Sequence, residues 1–177
     1  GTLTLSIEGL NGGKVYGDKV LTIITDNEGK EFDITLNVLF ITKTLKTAQD
    51  LDNMGAIAKA FSGDNGNTWD GYFVLGNDIA YNGVFVGMFG TANVWTAAGN
   101  IDSGSSRGFK GVFDGRGFNI DGLEIVKNTT SGAGSGFIPT LMATGVIKNV
   151  SFTNASVTDC GYITTNCANG ATYENIY

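Results

Sequence analysis

A chain of 177 residues with a formal net charge of −6 and no histidine has room for one domain, or one and a fraction. The acidic balance argues against nucleic acid, which selects basic patches, and against electrostatic attachment to anionic lipid. Only 16% of residues are charged, 42% are apolar and 27 are glycine, a balance that builds a core with tight turns and excludes a disordered segment.

In chain order, residues 2–8 alternate, with Leu3, Leu5 and Ile7 apolar, ahead of the turn Asn11-Gly12-Gly13. A second strand is predicted over 20–25, followed by the hairpin signal Asp26-Asn27-Glu28-Gly29. A third, over 32–41, alternates Phe32, Ile34, Leu36, Val38 and Phe40 with polar residues. These strands resemble the last three of the immunoglobulin-like modules that bacterial surface proteins string together. So short a segment cannot bury both sheets of a sandwich. Residues 1–42 are therefore expected to be a partial module, with a small meander integral to the next domain as the alternative.

The phrase TLKTAQDLDNMGAIAKAF follows. Thr47 and Asp50 form a capping-box pattern, and Leu51, Met54, Ile57, Ala58 and Phe61 recur at helical spacing. A helix over about 47–61 is predicted. It plugs the exposed edge at the start of residues 43–177, and a ligand groove is the competing use of its apolar stripe. The loop 62–70 carries oxygen donors in Asp64, Asn65, Asn67 and Asp70, so calcium is an option, but the spacing and final Glu of an EF-hand are missing. No other cofactor is implied. A first strand follows over 72–79, with Phe73 and Leu75 on one face and Val74 on the other. Val84-Phe85-Val86 and Met88-Phe89 read as further buried strand, and 91–108 as an excursion.

From 109 onward the chain repeats itself. FKGVFDGRGFNIDGLEIV, TGVIKNVSFTNASV and GATYENIY align Ile120 with Ile147 and Tyr173, and Leu123 with Val150 and Ile176. GSGFIPTLM and CGYITTNCANG form a second pair of look-alikes between them. Such an interval marks a stacked array in which each unit buries its apolar face on the next. Leu-Glu-Ile and Val-Ser-Phe alternate as strands with one buried face, and Gly122, Asn149 and Asn175 fall at a sharp corner. Asn149 and Asn175 are expected to stack and hydrogen-bond along the array.

This pattern resembles the β-helix repeats of bacterial cell-surface proteins of the GLUG-motif and pectate-lyase-like adhesin type, with GYFVLGNDIA at 71–80 as a first rung. Phe118 stands where relatives often carry His. The resemblance implies an all-β fold: a right-handed parallel β-helix, cut short, with an N-terminal capping helix and a short immunoglobulin-like strand set. The chain then reads as a portion of a longer one, located at the bacterial cell surface.

The candidate chemistry is sparse. Asp114, Arg116, Asp121 and Glu124 lie close in sequence, but Asp114 sits in a turn and the aligned counterparts of Glu124 are Ser151 and Tyr177, so no acidic column forms. Cys160 and Cys167 allow a small-loop disulfide or two buried thiols, and a metal pair is disfavoured without histidine. Trp69, Trp95 and Tyr81, placed in or beside loops, are the candidate ligand-binding residues, since aromatic rings stack on sugar faces. Packing over the edge of a rung is their alternative role. The expectation is a non-catalytic, adhesin-like module that meets a glycan or surface protein, with no nucleic acid and no membrane insertion. A β-helix polysaccharide lyase or glycoside hydrolase is the alternative.

Overall fold

The structure is a computed structural model, and it describes residues 16–27, 30–62, 68–85, 108–126, 136–158, 163–164 and 166–177. The chain divides into two compact units, Gly1–Phe40 and Ile41–Tyr177. In the first, β1 (Gly17–Asn27) pairs antiparallel with β2 (Lys30–Phe40), from Gly17 opposite Phe40 to Asn27 opposite Lys30. Leu36, Val38 and Phe40 are half-buried while Asn37 and Leu39 are exposed, as period-two alternation requires. The strand expected at 2–8 and the turn residues Glu28 and Gly29 lie outside the described residues.

The second unit begins with β3 (Lys43–Leu45) and α1 (Ala48–Ser62). The Thr47–Asp50 capping box is present: the Asp50 N–H donates to Thr47 Oγ1 at 3.1 Å, and the Thr47 N–H donates to Asp50 Oδ2 at 3.1 Å. Leu51, Met54, Gly55 and Ala58 form the buried face of α1, with Ile57 and Phe61 at its margin. The helix packs on β4 (Thr68–Trp69) and β6 (Ile79–Val84), and the Asp70 N–H reaches the Ala58 carbonyl at 3.0 Å.

The remaining strands are β5 (Tyr72–Leu75), β7 (Gly108–Phe109), β8 (Val112–Asp114), β9 (Asn119–Val126), β10 (Thr140–Leu141), β11 (Val146–Thr153), β12 (Ser156–Thr158), β13 (Asn166–Cys167) and β14 (Thr172–Ile176). Every pairing described in this unit is parallel. One sheet orders β4, β7, β10 and β13; the larger one stacks β3, β5, β8, β11 and β14 and joins β6, β9 and β12 through β11. Each pass of the chain thus lays its strands beside those of the pass before. The described chain is mostly β, with parallel sheets and one helix.

The register corrects the alignment of Ile120 with Ile147. Ile147 lies between Phe113 and Tyr173, whereas Ile120 pairs with Ile79 on one side and Phe152 on the other. Apolar alternation looks the same on both segments, so Ile-x-Gly-Leu-x-Ile mimics Ile-x-Asn-Val-x-Phe although they occupy different parts of the sheet. Two separate corners result, both left-handed. Asn82, Gly122 and Asn154 (φ 53°, 70° and 47°) share one, and Arg116, Asn149 and Asn175 (φ 54°, 54° and 51°) share the other. At the first, a Cβ on Gly122 would sit 2.6 Å from Asn82 Oδ1, so this corner needs glycine for space as well as for conformation. The later look-alikes do stack as expected, with Thr140 on Asn166, Leu141 on Cys167 and Val150 on Ile176.

Phe137 is the hub of the core. It is fully buried, with ring centroids of Phe113 at 5.0 Å and of Phe85 and Phe152 each at 5.4 Å. Phe73 and Phe109 extend the cluster at 6.2 Å. Val74, on the opposite face of β5, is as buried as Phe73 and Leu75.

Candidate functional site

The register brings one outward-facing column together. Val74, Asp114, Lys148 and Glu174 are successive partners on β5, β8, β11 and β14. Asp114 is its most heavily bonded member and sits in the Phe-Asp-Gly-Arg-Gly turn. The turn folds back so that the Arg116 N–H donates to Asp114 Oδ1 at 2.9 Å. The same oxygen accepts from Asn149 Nδ2 at 3.0 Å, and the Tyr72 hydroxyl donates to Oδ2 at 3.3 Å. Lys148 Nζ stands 3.7 Å from Oδ2 and 5.9 Å from the centre of the Tyr72 ring.

These contacts fix the charge states. Burial pushes the Asp114 carboxyl up, but the Asn149 and Arg116 donors, Lys148 and the Tyr72 hydroxyl outweigh it and hold the pKa below the ordinary value of 3.8. Burial raises the Tyr72 phenol, so its proton is held more firmly than usual. Burial alone would lower Lys148, yet the Tyr72 oxygen, Asp114 and Glu174 together leave it raised. The result is an ionised acid, a charged amine and a protonated phenol. None of the three is poised to exchange a proton near neutrality.

Beside this cluster runs a groove of about 600 Å³ lined by Asp114, Arg116, Asn149, Ser151, Asn175 and Tyr177, among others. Asn175 Nδ2 donates to Asn149 Oδ1 at 2.9 Å, and Asn149 in turn donates to Asp114, so an amide ladder forms the floor. Arg116 is exposed, and its guanidinium makes no hydrogen bond or ion pair among the described residues. Tyr177 presents an open ring, 79% exposed.

The carboxylates named from sequence have other tasks. Asp121 accepts from Thr153 Oγ1 at 2.6 Å and Asn154 Nδ2 at 2.7 Å, which lower its pKa. Glu124 pairs with Val84 and Ser156, which replaces the counterparts Ser151 and Tyr177 and again gives no acidic column.

The aromatic candidates separate. Trp69, expected in a loop, belongs to β4 and is 2% exposed, packed in the core where it cannot stack on a sugar. Tyr81 lies on β6, packs edge-on to Phe85 at 5.5 Å and donates its hydroxyl to Asp52 at 2.7 Å, so it ties β6 to α1. Trp95 lies outside the described residues, as do Asp64, Asn65 and Asn67 of the calcium option. Asp70 is bonded to the Gly71 N–H at 2.8 Å and paired with Lys110 at 3.7 Å. Among the described residues no group of three or more acidic or thiol side chains could hold a metal ion. Cys167 is an exposed free thiol, and Cys160 lies outside the described residues. No helix among the described residues is long and apolar enough to cross a membrane.

Asn149, Asn175 and Tyr177 were not proposed as site residues from sequence, and Arg116 was weighed there only beside the carboxylates as candidate chemistry. Only the Asn149–Asn175 stacking left a signal there. Comparison with protein-family models, curated proteins and solved structures yields no match.

Proposed function

We infer that residues 41–177 form a stretch of right-handed parallel β-helix capped by α1, and that β1 and β2 are part of an immunoglobulin-like set. The parallel register of successive passes, the apolar face of α1 against β4 and β6, and the regular alternation on β2 support this reading. On it, the chain is a non-catalytic extracellular module of the adhesin-like type found on bacterial surfaces, and it attaches to a glycan or a surface protein through the groove at Arg116 and Tyr177.

One observation carries the choice of binding over catalysis. Asp114, Asn149 and Asn175 hydrogen-bond one another along the groove, and Asp114, the only carboxylate side chain among its described lining residues, has its pKa held below the ordinary value by four neighbours. Retaining and inverting glycosidases both need two carboxyl groups across the scissile bond, one of them protonated. A groove with an exposed cation and an open ring instead offers a contact for an acidic sugar or a polar peptide.

Glycan-array binding by the purified chain tests this, with Arg116→Ala and Tyr177→Ala as the paired variants. Binding that both variants lose supports the module. Binding that neither affects, or no binding to glycans or to surface proteins, removes the groove from the account. Release of unsaturated or reducing sugars by the isolated protein would overturn the non-catalytic reading.

A further inference from the structure

We draw no further inference here: the strongest candidate, the side-chain cluster that exposed Cys167 on β13 forms with Tyr173 on β14 and Thr164, rests on a lone thiol, and nothing in the structure shows what covers it.

Discussion

Asn175 donates its side-chain amide to the side-chain oxygen of Asn149 at 2.9 Å, and both residues hold the left-handed backbone, at φ 51° and 54°. Asn149 thus carries two burdens, a conformation most residues resist and the middle of a hydrogen-bond ladder. The two can be separated by substitution. Asn149→Gly keeps the conformation and loses the ladder, a cost of about 1 kcal/mol. Asn149→Ala loses both, for about 2–3 kcal/mol in all. Asn149→Asp places a second carboxylate against Asp114 and should be worst at neutral pH, recovering as the solution is acidified. Urea unfolding would rank the series; an alanine variant as stable as the glycine one would contradict the backbone argument.

The Asp114 contacts predict an acid limb in stability. Its pKa is lowered in the folded chain from the ordinary 3.8 by donors that the unfolded chain lacks. The folded state therefore holds fewer protons, and the stabilisation is complete above the ordinary value and lost as pH falls through the lowered one. Asp50 and Asp121 are lowered as well and act in the same direction. Asp114→Asn should flatten part of this limb while leaving the part due to the other two. Chemical denaturation repeated from pH 6 to pH 2 would show it, and parallel curves for the two proteins would refute it.

What the sequence disclosed follows from how far each feature depends on distant register. The capping box of Thr47 and Asp50 is local, and it is where the pattern put it. The Asn149–Asn175 pair was legible because the pairing keeps one interval without insertion from Thr140 opposite Asn166 to Val150 opposite Ile176. Ile120 and Ile147 misled because the turn at Gly115-Arg116-Gly117 is longer than the corner at Asn149, and alternation alone cannot tell one face from the next. Trp69 was placed in a loop because a two-residue strand carries no periodicity to detect. Tyr72 meets Asp114 and Lys148 only through the pairing of β5 with β8 and β8 with β11, which nothing near any of the three residues encodes.

Phe137 should be the most sensitive single position in the core. Phe113, Phe85 and Phe152 converge on it from three different strands or segments, so truncation leaves a cavity that no one of them can close alone. Phe137→Ala is expected to cost about 3–5 kcal/mol. Phe152→Ala should cost less, because Phe152 is only partly buried. Thermal melts of the two variants would check the order, and a milder effect at Phe137 would mean that the aromatic cluster is not the centre of the core.

Arg116 poses a question of a different kind. Its left-handed backbone, φ 54°, is one that asparagine or glycine adopts readily and arginine does not, and Asn149 and Asn175 fill the equivalent corners above it. Its guanidinium makes no hydrogen bond or ion pair among the described residues that would offset the strain, yet it stands at the groove beside Tyr177. A residue held in an unfavourable conformation without a structural return points to a role in contacting something else. Arg116→Gly should therefore be more stable than Arg116→Ala by about 1 kcal/mol, from the backbone alone. Both should lose whatever ligand affinity the groove has, while Arg116→Lys keeps the charge and loses the planar fork that grips a carboxylate. Melting curves and ligand binding measured on the same three proteins give the answer. If Arg116→Gly is no more stable than Arg116→Ala, the strain is not there; if it binds as the wild type does, the side chain has no part in recognition.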